Sequence, residues 1–347
     1  MKKKKSLIII IISILVVAVT AILLYTLLND KNKLTVAERN WVNESIGTIQ
    51  NINVINNVNV FGKDGSGVFY DFIDSFEKEY ELTINPITFN VGNNPSGITF
   101  NEKTSTNDND IVFYTDHYVL ISKTSDLVAS EENLNGKTIG ILSSDLSYVS
   151  KYIKKATNVS FTQFESRDEL IENMNGEGNY MLVPLMEYLD VYLSKDYKIV
   201  YHFSDIKKYF TLSVTDDKLS SILTKYYNKW ENKFDDVYNK NLFKSFTQNM
   251  NITDTEVDSM QSVTYNYGFV NASPYEVIMG GKYGGIVAVY LSKFSNFAGV
   301  EFNFAKYKNF NKFTKAIKNN EVDLYFNYYN FTDEFYQTSG LNIEYVI

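Results

Sequence analysis

The chain has 347 residues, 44% of them apolar, with 27 Tyr, 24 Phe and a formal net charge of -8. That composition supplies core enough for two domains and excludes a disordered polypeptide, while acidic charge spread along the chain leaves no basic stripe and excludes nucleic acid as a partner. Cysteine is absent and the two histidines, His117 and His202, stand far apart, so disulfides, thiolate chemistry, a His-built zinc site and a Ser-His-Asp relay lack their residues; no metal and no cofactor is implied.

Lys2 to Lys5 precede Leu7 to Leu28, 22 residues without a charge. At about 1.5 Å per residue a helix of that length crosses a hydrocarbon core of roughly 30 Å. The run exceeds the apolar stretch of a cleaved signal peptide, about 7–15 residues, and Val19-Thr20-Ala21 is only a weak cleavage site. Residues 1–30 therefore read as cytoplasmic lysines and an uncleaved transmembrane helix, embedded in the lipid bilayer through residues 7–28. Four lysines before the span, against Asp30, Lys31 and Lys33 after it, put the amino end in the cytoplasm. The expectation is a single-pass protein of the cell membrane with the bulk of its chain extracellular.

Within the linker region 31–50, Thr35 and Glu38 have the spacing of a capping box, which predicts a short helix. Asn51 to Phe61 alternates apolar residues with Asn over part of its length and predicts a half-buried strand or pair. Gly62, Gly65 and Gly67 then make a loop, with the wrong spacing for a dinucleotide fingerprint, and Val68 to Tyr80 carries apolar residues at helical intervals. Residues 90–110 are polar, with Gly92, Pro95 and Gly97, and predict a surface loop. Two β-rich runs flank Thr115-Asp116, and a further strand ends at Leu142 behind a turn. Ser147 to Ala156 reads as amphipathic, Val159 to Phe164 as strand, Arg167 to Met174 as helix, Tyr180 to Pro184 as strand, Glu187 to Leu193 as helix and Lys198 to Phe203 as strand. That alternation predicts a mainly parallel sheet covered on both faces. Tyr209 to Val214 precedes an amphipathic helix, Asp217 to Trp230, and a polar helical run over 232–259. β character returns at Val263 to Val270, followed by the extended, glycine-punctuated segment 273–286, a helix over Ile286 to Phe297, a strand at Gly299 to Phe304, a helix at Phe310 to Lys318 and a strand at Val322 to Phe326.

Several stretches carry a family resemblance. LNGKTIGIL (134–142) is similar to the strand that opens the second lobe of the extracellular solute-binding proteins of family 3, the two-lobed periplasmic-binding-protein type. KYFTLSV (208–214), followed by Asp217, Leu219 and Trp230, resembles that family's return to its first lobe. SPYEVIMGGKYGGI (273–286) is similar to the segment with which the first lobe begins, and NEVDL (320–324) to the strand after the lobe-one helix. The resemblance spans residues 52–326 and implies an α/β fold: a first solute-binding-like domain over 51–250, with lobe one about 51–120 and 205–250 and lobe two about 121–204. Lobe one of a second solute-binding-like domain follows over 260–347, a partial second copy.

Amino-acid-binding members of that family set a lobe-one Arg against a substrate carboxylate and a lobe-two acidic residue against its amine, the planar guanidinium matching the carboxylate. This chain departs from the pattern. No Arg stands near Thr115-Asp116-His117-Tyr118, and Pro184 ends the lobe-two strand, with Glu187 three residues on. The candidate ligand-binding residues are Phe61, Asp64 and Ser66 on the first βα loop, expected in the cleft; Asp116 and Tyr118 at the crossing between lobes; Ser143, Ser144 and Asp145 at the lobe-two βα turn, where hydroxyl and N–H groups can meet an anion; Glu187; and, in the second copy, Tyr275 as a stacking aromatic with its neighbour Glu276. Each group also has a plainer reading, respectively turn chemistry, hinge packing, helix capping and strand-edge packing.

The expectation is a non-enzymatic, membrane-anchored sensory or solute-binding protein that takes a small-molecule solute between its lobes and works with a membrane signalling or transport partner. In a longer protein the output domain is of the diguanylate cyclase or histidine kinase kind. Two alternatives stand beside it: a scaffold or adhesion module with vestigial clefts, and a surface hydrolase, for which Glu187 and Asp190 make a poor carboxylate pair.

Overall fold

The computed structural model describes residues 31–326 apart from 92, 94, 125–127, 177 and 195–196. The expected membrane span at 7–28 lies outside the described residues; among those described, no helix is long and apolar enough to cross a membrane. The chain divides into two compact units after Met250.

Helix α1 (Val36–Ser45) opens with the capping box its sequence promised: the Thr35 hydroxyl accepts from Glu38 N at 3.2 Å and the Glu38 carboxylate accepts from Thr35 N at 2.6 Å. Eight strands follow, β1 (Ile49–Ile55), β2 (Thr83–Phe89), β3 (Ile98–Lys103), β4 (Ile111–Ser122), β5 (Thr138–Leu142), β6 (Ser160–Phe164), β7 (Tyr180–Pro184) and β8 (Lys198–Ser213), in the spatial order β2-β1-β3-β8-β4-β7-β5-β6. β1 pairs parallel with β2 and β3, and β5 parallel with β6 and β7. β4 and β8 pair antiparallel with each other, β8 also with β3 and β4 with β7. The sheet is therefore mixed rather than mainly parallel, because the chain passes between its halves once in each direction and the two passages pair. Each passage is one unbroken strand, where the sequence suggested separate runs.

Those two strands divide the unit into lobes. Lobe one holds β1–β3 with α2 (Val68–Tyr80) and two later helices, and lobe two holds β5–β7 with α3 (Ser143–Val149), α4 (Arg167–Asn173) and α5 (Leu189–Ser194). The later helices are α6 (Asp217–Trp230) and α7 (Phe234–Asn249). α2 buries Phe69, Phe72, Ile73 and Phe76 at helical spacing, each such burial stabilising by about 1.5–3 kcal/mol. They meet Phe100, Phe113, Tyr226 and Trp230 in one aromatic core. Lobe two packs a separate core on each face of its strands, around Leu120, Ile139 and Leu182 on one side and Val119, Leu170 and Met181 on the other.

The loop expected over residues 90–110 is strand in part. The polar stretch 90–110 contains β3, anchored by the fully buried Phe100. Strand β2 carries Pro86 and lies at the outer edge of the sheet, where a missing N–H costs no ladder bond. Between His117, opposite Lys207, and Tyr118, opposite Phe203, the register jumps, leaving residues 204–206 of β8 as an insertion at the boundary between lobes. Such an irregularity bends the ribbon.

The unit from Asn251 onward comprises α8 (Asp254–Gln261), β9 (Thr264–Val270), the hairpin β10 (Val277–Met279) and β11 (Lys282–Gly284), α9 (Ile286–Ala298), β12 (Glu301–Tyr307) and α10 (Phe310–Lys318). β9 and β12 pair parallel, as β1 and β2 do. The loop geometry repeats as well. Val68 and Phe69 N–H donate to the carbonyls of Val60 and Phe61, and Ile286 and Val287 N–H donate to those of Pro274 and Tyr275. Gly67 and Gly285, each just before its helix, hold φ of 116° and 105°. Tyr275 thus stands in the second unit where Phe61 stands in the first.

Candidate functional site

β4 and β8 bring Asp116 and Lys208 directly opposite each other at the level where the lobes join. Side chains from both lobes converge there. Glu102 arrives from the end of β3 in lobe one, Glu187 from the turn after β7, and Asp145 from the first turn of α3. The Lys208 ammonium pairs with Glu102 Oε1 at 2.6 Å and Glu187 Oε2 at 2.8 Å, and faces Asp145 Oδ2 at 3.9 Å. Its side chain is only 12% exposed. Asn57, from the β1–α2 loop, donates Nδ2–H to Glu102 Oε2 at 2.7 Å. Asp116 is buried and accepts from His117 N at 2.8 Å and Met186 N at 2.9 Å.

Three carboxylates therefore surround one ammonium in a nearly dry place, with Asp116 opposite on the paired strand. Burial opposes charge on Lys208, but Glu102 and Glu187 outweigh it and hold the ammonium protonated well above its ordinary range. Burial drives Glu102 upward against the pull of Lys208, and Glu187 adds to the rise. Asp116 is pushed up to about 7 by burial, against its two backbone N–H donors. The lobes also meet through apolar contact. Met186 and Leu189, next to Glu187, pack into the lobe-one core, and the Tyr238 hydroxyl of α7 points to Met186 Sδ at 3.7 Å. Chemically, the arrangement grips a primary ammonium.

The candidates from sequence fall into two groups. Asp116, Tyr118, Asp145 and Glu187 come together around Lys208, whose ammonium lies 5.8 Å from the centre of the Tyr118 ring. Phe61, expected in the cleft, is instead fully buried and stacked on Phe210 at 4.0 Å, because a large apolar ring after β1 gains more from the core than from a wet loop. Asp64 and Ser66 shape the exposed turn: Asp64 N donates to Asn56 Oδ1 at 2.8 Å and Ser66 Oγ to Lys63 O at 3.2 Å. Ser143 donates to Glu165 at 2.8 Å and Ser144 to Asp145 at 3.3 Å, so neither offers its hydroxyl to an anion. In the second unit Tyr275 is 44% exposed, while Glu276 is buried and accepts from the hydroxyls of Tyr267 at 2.7 Å and Tyr283 at 2.9 Å.

Sequence reading missed Glu102, Asn57 and Lys208. Glu102 sits in the stretch taken for a loop, and its partner is more than 100 residues away. Lys208 had a signal, since it begins the KYFTLSV segment that carries part of the resemblance.

The strand order and the two strands shared by both halves give residues 31–250 a two-lobed, periplasmic-binding-protein type II-like fold. No family model matches the chain, and no curated protein does. Among solved structures, the chain is similar to the periplasmic domain of BvgS from Bordetella pertussis, at 12% identity and a TM-score of 0.47, over 84% of this chain and 63% of that one. It spans less than two thirds of that domain's length. It is also similar to the VFT2 domain of the same protein, at 13% identity and a TM-score of 0.48, over 60% of this chain and 98% of that one. A third likeness is to AbpA from Streptococcus pneumoniae, an amino acid ABC transporter substrate-binding protein solved with L-arginine, at 14% identity and a TM-score of 0.42, over 57% and 97% of the two chains. These likenesses are loose, and the fold assignment stands on the strand order.

Proposed function

We propose that the protein is a non-enzymatic, membrane-anchored sensory or solute-binding protein whose extracellular unit, residues 31–250, responds to a small solute through the relative position of its two lobes. The observation that carries this reading is the convergence of Glu102 from lobe one and Glu187 and Asp145 from lobe two on a single cation at the crossing. A site built from both lobes translates occupancy into lobe position, the working principle of hinge-closing binding proteins. Residues 7–28 supply the tether, and residues 260–347 a second copy of lobe one. In a longer protein the crossing reports to a membrane signalling or transport partner, with a diguanylate cyclase or histidine kinase as the output.

A thermal-unfolding screen of the whole chain in nanodiscs, with amino acids, amines, peptides, sugars and nucleosides, tests the reading. Both tryptophans, Trp41 and Trp230, lie in the first unit, so tryptophan fluorescence reports on it alone. A binder gains stability by mass action, about 2.7 kcal/mol at a hundredfold excess over Kd. A flat response across the screen sinks the solute-binding reading.

The apolar seal formed by Met186 and Leu189 favours a second reading, a scaffold whose lobes are fixed together. Under it the same screen is flat, and small-angle scattering is unchanged by any solute.

A further inference from the structure

The site between the lobes is not merely acidic; it already holds a cation from the protein's own chain. Lys208 projects from the strand that joins the lobes, and its ammonium takes one carboxylate from each side at 2.6 and 2.8 Å. A second observation points to the same chemistry. The Tyr118 hydroxyl is fully buried and stands beside Asp145 without a well-formed hydrogen bond to any group among the described residues. A buried hydroxyl left in this way is costly unless a polar group serves it. Three carboxylates, an unserved hydroxyl and an aromatic face 5.8 Å from the cation make a cage for an –NH3+ group.

We infer that the crossing is an ammonium-binding site filled intramolecularly by Lys208, so that the lobes rest closed without solute and only an amine can replace the lysine. The inference rests on the two-lobed reading and assigns the chemistry of its site. A closed resting state needs no solute, because the lysine bridges the lobes as a bound amine would. A sugar, nucleoside or carboxylic acid brings no cation to the three carboxylates and is rejected. Lys208 is thus both the occupant and the barrier that a competing solute has to displace.

Chemical rescue tests this. In the whole chain, Lys208→Ala keeps Cβ and leaves the carboxylates facing a cavity of about the size of an n-propylammonium ion. Its unfolding temperature, read by tryptophan fluorescence, is expected to fall by about 10 °C, the scale set by removing one partner of a buried ion pair. Millimolar n-propylammonium is expected to recover at least half of that loss in Lys208→Ala and to shift the unsubstituted chain far less, because there it has first to displace Lys208. Tetramethylammonium, a cation with no N–H donor, and n-propanol are expected to recover none of it. An unchanged unfolding temperature in Lys208→Ala, or equal recovery by tetramethylammonium, overturns the inference. If Lys208→Ala does not fold, the triple variant Lys208→Ala/Glu102→Gln/Glu187→Gln decides. Removing the stranded charges is expected to restore folding without amine, and a triple variant that also fails to fold overturns the site. A flat solute screen on the unsubstituted chain counts against solute binding and leaves the rescue result standing, whereas absent rescue removes the ammonium site whatever the screen returns.

Discussion

Asp116 and Lys208 face each other across the two strands that join the lobes, yet the ammonium closes its ion pairs with Glu102 and Glu187 and leaves Asp116 to two backbone N–H groups. Burial therefore keeps the proton on Asp116, against the pull of its two N–H donors and of the Lys208 ammonium, with Glu187 adding to the rise.

The first prediction concerns pH. Asp116 titrates near 3.8 in the unfolded chain and at about 7 when folded, with burial the main cause. Between those values the folded protein keeps a proton that the unfolded chain has lost, so stability falls as pH rises from about 4 to about 7 and levels off above. Glu102, also raised by burial, acts in the same direction. Lys207, Lys208, Glu187, Asp145 and His117, with the hydroxyls of Tyr114, Tyr118 and Tyr238, are further charged or titratable groups at the crossing. Asp116→Asn keeps only one acceptor for its two N–H donors, and is expected to cost about 1–3 kcal/mol at acid pH while flattening the profile. Tryptophan-detected unfolding across this range checks both, and stability that climbs from pH 4 to 7 in the first unit contradicts the account.

A second prediction separates core from loop at the start of the fold. Phe61→Ala removes a ring packed on Phe210, Tyr114 and Phe69, and is expected to cost about 3–5 kcal/mol in chemical denaturation. Asp64→Gly, three residues on in an exposed turn at φ 49°, is expected to change stability by less than about 0.5 kcal/mol. Comparable costs for the two would mean that Phe61 is not a core residue.

That pair also marks what a linear reading can and cannot supply. Helices α2 and α6 were legible because one apolar stripe repeats within a dozen residues, and α1 because Thr35 and Glu38 cap it locally. Asp116 was legible at the lobe crossing, Asp145 at the lobe-two βα turn and Glu187 three residues beyond a lobe-two strand, because short motifs located the strands on or beside which they lie. Their common partner was not. Lys208 meets Glu102 only when β3 and β8 pair, and no local pattern encodes an ion pair across 106 positions. Phe61 failed for a related reason: a loop position says where the backbone goes, whereas the depth of the ring depends on Phe210 coming from the far end of the domain.

Glu38 gives a pH prediction of opposite sign. Burial works against its ionisation, but the Lys225 ammonium at 2.7 Å, the Ser221 hydroxyl and Thr35 together hold its carboxyl down at about 2. Its stabilising contribution is present above about 4.5 and is lost as pH falls toward 2. Because Lys225 and Ser221 lie on α6, Glu38 clamps α1 to lobe one. Glu38→Ala is expected to cost about 1.5–3 kcal/mol and to raise hydrogen exchange selectively over residues 36–45. Unchanged exchange there would show that other contacts hold the helix.

The repeated loop geometry yields the last prediction. At Gly67 an added Cβ falls 2.6 Å from the Phe61 carbonyl oxygen, and at Gly285 it falls 2.3 Å from that of Tyr275. Both residues also hold positive φ, at 116° and 105°, where a side chain is strained in any case. Each substitution by Ala is therefore expected to destabilise its own unit by about 2 kcal/mol or more, since backbone cannot move aside as a flexible side chain can. Tryptophan fluorescence sees only the first unit, so Gly67→Ala lowers that transition and Gly285→Ala leaves it in place. The second substitution instead increases protease cleavage within residues 264–307. If Gly285→Ala is silent in proteolysis while Gly67→Ala is costly, the two loops do not share the same structural requirement, and the case that residues 260–347 repeat lobe one is lost.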